Sequence, residues 1–133
     1  MARNQKPISE YMSRAPVCAQ LNLELAAAVQ LLAQQTFRHL PVLDGTKVVG
    51  VVSERDLAIA EALLPNDWED FPLAEAMTPE PYCVSPDTPL CEVAKVMAEN
   101  KYGCALVVDP SGAILGLFST VDAMRILAED WSA

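Results

Sequence analysis

The chain has 133 residues, 52% of them hydrophobic, and a formal net charge of −9. That length fits one domain of ordinary size with enough apolar material for a real core. The acidic balance argues against a nucleic-acid partner, and no apolar run is long enough to span a bilayer.

The opening "MARNQKPISEYM" lacks the apolar stretch of a signal peptide, so the cytoplasm is the expected compartment and no membrane partner is expected. The charge is uneven. Residues 1–64 hold six basic and six acidic residues, and residues 65–133 hold three basic and twelve acidic, which accounts for the whole −9. A small anion would therefore favour the basic groups of the first half.

A lead-in "ISEYMSRAPV" runs to a short first strand around Cys18. Leu25, Ala28, Val29 and Leu32 then recur at i, i+3, i+4 and i+7, which predicts one buried helical face, with Asn22 as a weak cap candidate. Two apolar runs follow, "HLPVL" and "VVGVV", separated by the turn chemistry of "DGT". Neither alternates, which predicts strands covered on both faces. A second helix is predicted over "SERDLAIAEALL". The stretch "PNDWEDFP", acidic with a proline at each end, reads as a linker.

The order then repeats. "LAEAMTPEPY" leads to a strand around Cys83. Leu90, Val93, Ala94 and Met97 mark a helix, with Thr88 as N-cap and Pro89 at the first helical position. "CALVV" and "ILGLF" flank the turn "DPSG", and "STVDAMRILAED" closes the unit. Residues 11–44 align with 76–109 without a gap, Met12 on Met77, Cys18 on Cys83 and Asp44 on Asp109. One residue inserted in the turn brings Gly50, Ser53 and Asp56 onto Gly116, Ser119 and Asp122. Each copy reads strand, helix, strand, strand, helix. A copy of about 60 residues is marginal alone, so the two are expected to pack against each other.

Each Ser-x-x-Asp can close a capping box at the start of its second helix. The same helix start presents free N–H groups and the positive end of the helix dipole, which suits a phosphate. A carboxylate there can accept from both hydroxyls of a ribose. The four cysteines, 18, 83, 91 and 104, form no Cys-x-x-Cys pair, and there is one histidine, so no zinc site is expected. They read as thiols, mostly buried. No nucleophile–histidine triad and no phosphate-binding glycine loop stands out, so no enzyme is expected.

The doubled pattern resembles a tandem pair of CBS (cystathionine β-synthase) domains, a Bateman module. "RHLPVLDGTKVVGVVSERDL" carries the resemblance most closely and "CALVVDPSGAILGLFSTVDAM" in a more divergent form. It implies an α/β (α+β) fold of two β-α-β-β-α repeats about a pseudo-twofold axis, with repeats at 7–64 and 72–129 and a linker at 65–71. It also implies a module without catalysis or a resident cofactor. Such a module binds an adenosyl ligand between its repeats: AMP, ADP or ATP, with S-adenosylmethionine or NAD as further members of the class. A homodimer and a regulated effector protein complete the expectation, the signal passing to that partner or through the dimer geometry. The alternative is a dimerising interaction module that takes no ligand.

By the same resemblance Ser53 and Ser119 contact the ligand near its phosphates, and Asp56 and Asp122 grip the ribose. Asp122 is expected to look toward Arg38 and His39, a bidentate donor and a hydrogen-bond partner. Asp56 is expected to look toward Gly103 and Cys104, where no cation stands. Arg55 and Arg125 are secondary phosphate candidates. Val17, Cys18, Ala19, Cys83 and Val84 are candidates for the adenine pocket, and Tyr102 could stack on a base or simply pack.

Overall fold

The computed structural model describes residues 5–34 and 38–132. Their strands are β1 (Ser13–Arg14), β2 (Ala19–Gln20), β3 (His39–Asp44), β4 (Lys47–Ser53), β5 (Thr78–Pro79), β6 (Cys83–Val84), β7 (Cys104–Val108) and β8 (Ile114–Ser119). Their α-helices are α1 (Leu25–Gln34), α2 (Glu54–Leu63), α3 (Leu90–Asn100) and α4 (Thr120–Trp131). The result is a mixed α/β fold with two four-stranded sheets, ordered β2-β3-β4-β5 and β1-β8-β7-β6.

The chain divides into two compact units. One is Val17–Pro81; the other joins the described residues up to Pro16 to those from Tyr82 onward. The lead-in that opens the first repeat therefore packs with the second repeat's elements. β1 pairs antiparallel with β8, Arg14 opposite Gly116. In the other unit β5 pairs antiparallel with β4, Pro79 opposite Gly50. The repeat extends to irregularities: β3 carries a register shift between Val42 and Leu43, and β7 between Val107 and Val108, 65 residues on. Both lead-ins also turn through a non-glycine residue with positive φ, Ala15 at 48° and Glu80 at 51°.

The first helix of each repeat buries a single row of side chains, whereas α4 has no fully buried residue. On α1 that row is Leu25, Ala28 and Leu32. On α3 it is Leu90, Val93 and Met97. Val29 and Ala94, expected on the buried faces, lie at the rim and are exposed. Capping also differs from expectation. The N-cap of α3 is Pro89, without a side-chain bond, while the Thr88 hydroxyl pairs with Ser85 at 3.0 Å. Asn22 stands ahead of α1, whose first turn bonds to the Glu24 carbonyl.

The Val17–Pro81 core gathers Leu25, Leu32, Leu40, Val42, Val52, Leu57 and Leu73. The stretch read as a linker contributes to it: residues Trp68–Asp70 form a 3-10 turn, and Trp68 and Phe71 pack on that core. The other unit's core is built on Ile8, Val93, Val107 and Phe118. The thiols are less buried than expected. Only Cys104 is buried; Cys18 is half-buried, and Cys83 and Cys91 are exposed. Cys91 follows Leu90 on α3, one position off its buried row, which points it outward. Among the described residues no helix is long and apolar enough to cross a membrane.

Candidate functional site

Strand β4 runs in extended backbone to Ser53 (φ −118°, ψ 169°), where α2 begins. The Ser53 amide donates to Asp56 Oδ2 at 2.9 Å, and the Asp56 amide donates back to Ser53 Oγ at 3.2 Å. The same corner recurs between β8 and α4. Ser119 N–H donates to Asp122 Oδ2 at 2.8 Å, and the Asp122 amide donates to Ser119 Oγ at 3.3 Å. Both expected capping boxes are formed.

The boxes use one carboxylate oxygen. The other is loosely held in each unit. Asp56 Oδ1 accepts from Thr78 Oγ1 of β5 at 3.4 Å. Asp122 Oδ1 accepts from Arg125 Nη1 at 3.4 Å. These contacts sit at the long end of hydrogen bonding, so a better-placed hydroxyl can displace them. Arg125, a phosphate candidate, is thus turned toward Asp122 in an ion pair. Arg55 is exposed at the second position of α2.

The strand beside each box supplies the contrast between the copies. His39 of β3 lies opposite Ser53, and Cys104 of β7 lies opposite Ser119. Inside each unit, then, His39 neighbours Ser53 and Asp56, and Cys104 neighbours Ser119. Burial lowers the His39 pKa, Asp56 opposes that shift and Arg38 adds to it. The imidazole is neutral at neutral pH and serves as a hydrogen-bonding group rather than a cation. Arg38, just ahead of β3, is exposed. Burial and the neighbouring Cys83 thiol push the Cys104 pKa up to about 12. The Gly103 carbonyl accepts from the first amide of α4, Thr120 N–H, at 3.1 Å.

The pocket candidates divide between the faces of their strands. Val17 and Ala19 pack with the first core, and Val84 with the second. Cys18 and Cys83 alternate to the opposite faces. Burial raises the pKa of both thiols. Tyr102 stacks on Tyr82, ring centroids 5.5 Å apart. Sequence reasoning missed Thr78, which reaches Asp56 only because β5 pairs with β4; its one signal was the hydroxyl of Ser13 at the aligned position. Among the described residues no group of three metal-ligating side chains comes together.

The CBS domain family matches residues 8–62 and 73–129. An inosine-5'-monophosphate dehydrogenase from Korarchaeum cryptofilum is 31% identical over 124 residues, covering 92% of this chain and 24% of that protein. The chain thus spans a quarter to a third of the length of the first curated relatives it matches. Two solved structures are 25% identical at TM-score 0.82. One is the CBS domain pair of protein MJ0100 with 5'-methylthioadenosine and S-adenosyl-L-methionine, covering 91% of this chain and 98% of that one. The other is CBSX2, an Arabidopsis thaliana protein, with AMP, covering 93% and 97%. With the whole β-α-β-β-α order present twice and both repeats matched, this chain belongs to the CBS domain family as a tandem pair.

Proposed function

We propose that this chain is a sensor for an adenosyl nucleotide of the AMP, ADP or ATP class. Its Ser-x-x-Asp helix starts grip the ribose and lie by the phosphates, and it signals to a separate effector protein in the cytoplasm. One observation carries the reading: in both units the capping box holds Oδ2 of the aspartate and leaves Oδ1 in a 3.4 Å contact that a ribose hydroxyl can replace. Arg38 is the phosphate contact, as an exposed guanidinium beside a neutral His39. The adenosyl ligands bound by MJ0100 and CBSX2 support the ligand class. S-adenosylmethionine and NAD are its other members.

A thermal-shift panel tests this. A ligand at about a hundred times its Kd adds about 2.7 kcal/mol to stability, a rise of several degrees in Tm. AMP is expected to give that rise, and Arg38→Ala to abolish it while leaving the response to uncharged 5'-methylthioadenosine. Asp56→Ala and Asp122→Ala report which ribose site is used. No shift with AMP, ADP, ATP, S-adenosylmethionine or NAD would sink the sensor and leave an interaction module.

We also propose that the protein is a homodimer joined through α4. Val121, Met124, Leu127 and Trp131 form one apolar stripe along it, with Met124 59% and Trp131 76% exposed. Light scattering is expected to give twice the chain mass, and Met124→Lys with Trp131→Lys to halve it. An unchanged mass in the double variant would place the contact elsewhere.

A further inference from the structure

His39 opens β3 and lies opposite Ser53 in the antiparallel pair, so its imidazole stands at the start of α2, beside the Ser53–Asp56 box. Side chains in such register sit about 5 Å apart at their β-carbons. The imidazole is half-buried and makes no side-chain hydrogen bond among the described residues. Asp56 is already committed, with Oδ2 on the Ser53 amide and hydroxyl and Oδ1 on Thr78. A histidinium at this corner would gain its hydrogen-bond partner with an incoming anion.

The charged groups acting on the imidazole are Asp56, from α2, and Arg38, its neighbour in the chain. β4 presents the uncharged Ser53, and β5 the uncharged Thr78. On the other side of β3, β2 pairs Ala19 with Val42 and is preceded by Cys18, a thiol that burial keeps protonated at neutral pH. Burial disfavours the cation in the free protein, Asp56 opposes that effect and Arg38 adds to it. A phosphate dianion within hydrogen-bonding reach favours the cation about tenfold or more. In the other unit Cys104 holds the same position opposite Ser119. Its thiol is uncharged throughout the histidine range, so one strand neighbour can become a cation and the other cannot.

We infer that His39 couples ligand choice to pH: a nucleotide phosphate seated beside Ser53 draws a proton onto the imidazole, so phosphorylated adenosyl ligands bind the Val17–Pro81 unit more tightly in acid and uncharged ones do not respond. The proton comes from solvent, rests on the ring while the phosphate is bound, and returns to solvent when it leaves. Affinity rises as pH falls through the histidine's range in the complex, and the rise stops once the free protein is protonated too. The inference rests on the nucleotide reading and adds the condition under which the site prefers charge.

Calorimetry of AMP binding at pH 6 and pH 8, in buffers of different ionisation heat, counts the protons taken up. A phosphate monoester itself gains a proton near about pH 6. The parent is therefore compared with His39→Gln, which keeps a hydrogen-bonding side chain but does not titrate. At pH 6 the parent is expected to take up more protons than the variant. The affinity gap between them should widen about fivefold or more from pH 8 to pH 6. Uncharged 5'-methylthioadenosine should show neither effect. Equal proton counts in parent and variant, with AMP still bound, would overturn the inference and leave the nucleotide reading standing. A gap that widens equally for 5'-methylthioadenosine would overturn it in favour of an effect of His39 on the fold. The contrast between the two ligands in the parent needs no variant, and equal counts there would overturn it as well. No binding of AMP, ADP or ATP at either pH would take down the nucleotide reading and this inference together.

Discussion

Gly116→Ala is expected to destabilise the protein by about 2–3 kcal/mol, at the upper end of overpacking costs. The reason is the strand that crosses the glycine. A Cβ at position 116 would collide with Met12 Sδ and stand 2.7 Å from Met12 Cγ and 2.8 Å from the Ser13 carbonyl oxygen. The methionine can swing away, but the carbonyl belongs to β1, whose pairing fixes Arg14 opposite Gly116. The equivalent Gly50→Ala meets Met77 Sδ at 2.5 Å and the Thr78 carbonyl at 3.0 Å, so its backbone clash is milder. It should cost about 1–2 kcal/mol. Urea unfolding of both variants measures the difference. Met12→Ala combined with Gly116→Ala should recover part of the loss, a coupling that independent sites do not show. A Gly116→Ala protein as stable as the parent would show that β1 does not sit on β8 as described.

That pair of glycines also shows how far the sequence carries. The repeat was legible because Met12 aligns with Met77 and Gly50 with Gly116 at offsets of 65 and 66. Strands β2, β3, β4, β6, β7 and β8, both second helices and both capping boxes followed from local chemistry, because a Ser-x-x-Asp box needs only four adjacent residues. What the alignment did not reveal is that Met12 belongs against Gly116 and Met77 against Gly50. A two-residue strand such as Thr78–Pro79 carries no period of its own. Its partner is chosen by tertiary packing, and with it came Thr78 beside Asp56. The α3 cap failed for a related reason: Thr88 was read from its neighbour Pro89, but its hydroxyl found Ser85 instead. The buried rows of α1 and α3 were read too wide at Val29 and Ala94, since periodicity fixes a face but not how much of it the sheet covers. Trp68 hid in an acidic stretch whose composition resembles a loop, while a large apolar side chain still packs if the chain passes the core.

The other large effect is alkaline. Burial pushes the Cys104 pKa up to about 12 in the folded protein, from an ordinary thiol value of 9.0. Between those values the native state binds one proton more than the unfolded state. Unfolding free energy must therefore fall as pH rises through this window, and the contribution is intact below pH 9. Three pH units at 1.36 kcal/mol each amount to about 4 kcal/mol, with about half of it lost by pH 10.5. The cause is burial on a sheet position opposite Ser119, where a thiolate would lose its hydration and meet the nearby Cys83 thiol. Lysines and tyrosines titrate over the same range, so the measurement is a difference. Stability of the parent and of Cys104→Val is compared by urea at pH 8 and pH 10.5. The variant cannot ionise there, and its curve should fall by about 2 kcal/mol less. Parallel curves would mean that Cys104 is solvated. The same burial has a corollary for the second repeat's box. The position that carries a neutral imidazole beside Ser53 carries a thiol beside Ser119 that stays protonated, so at neutral pH neither strand neighbour adds a negative charge to the aspartate it accompanies.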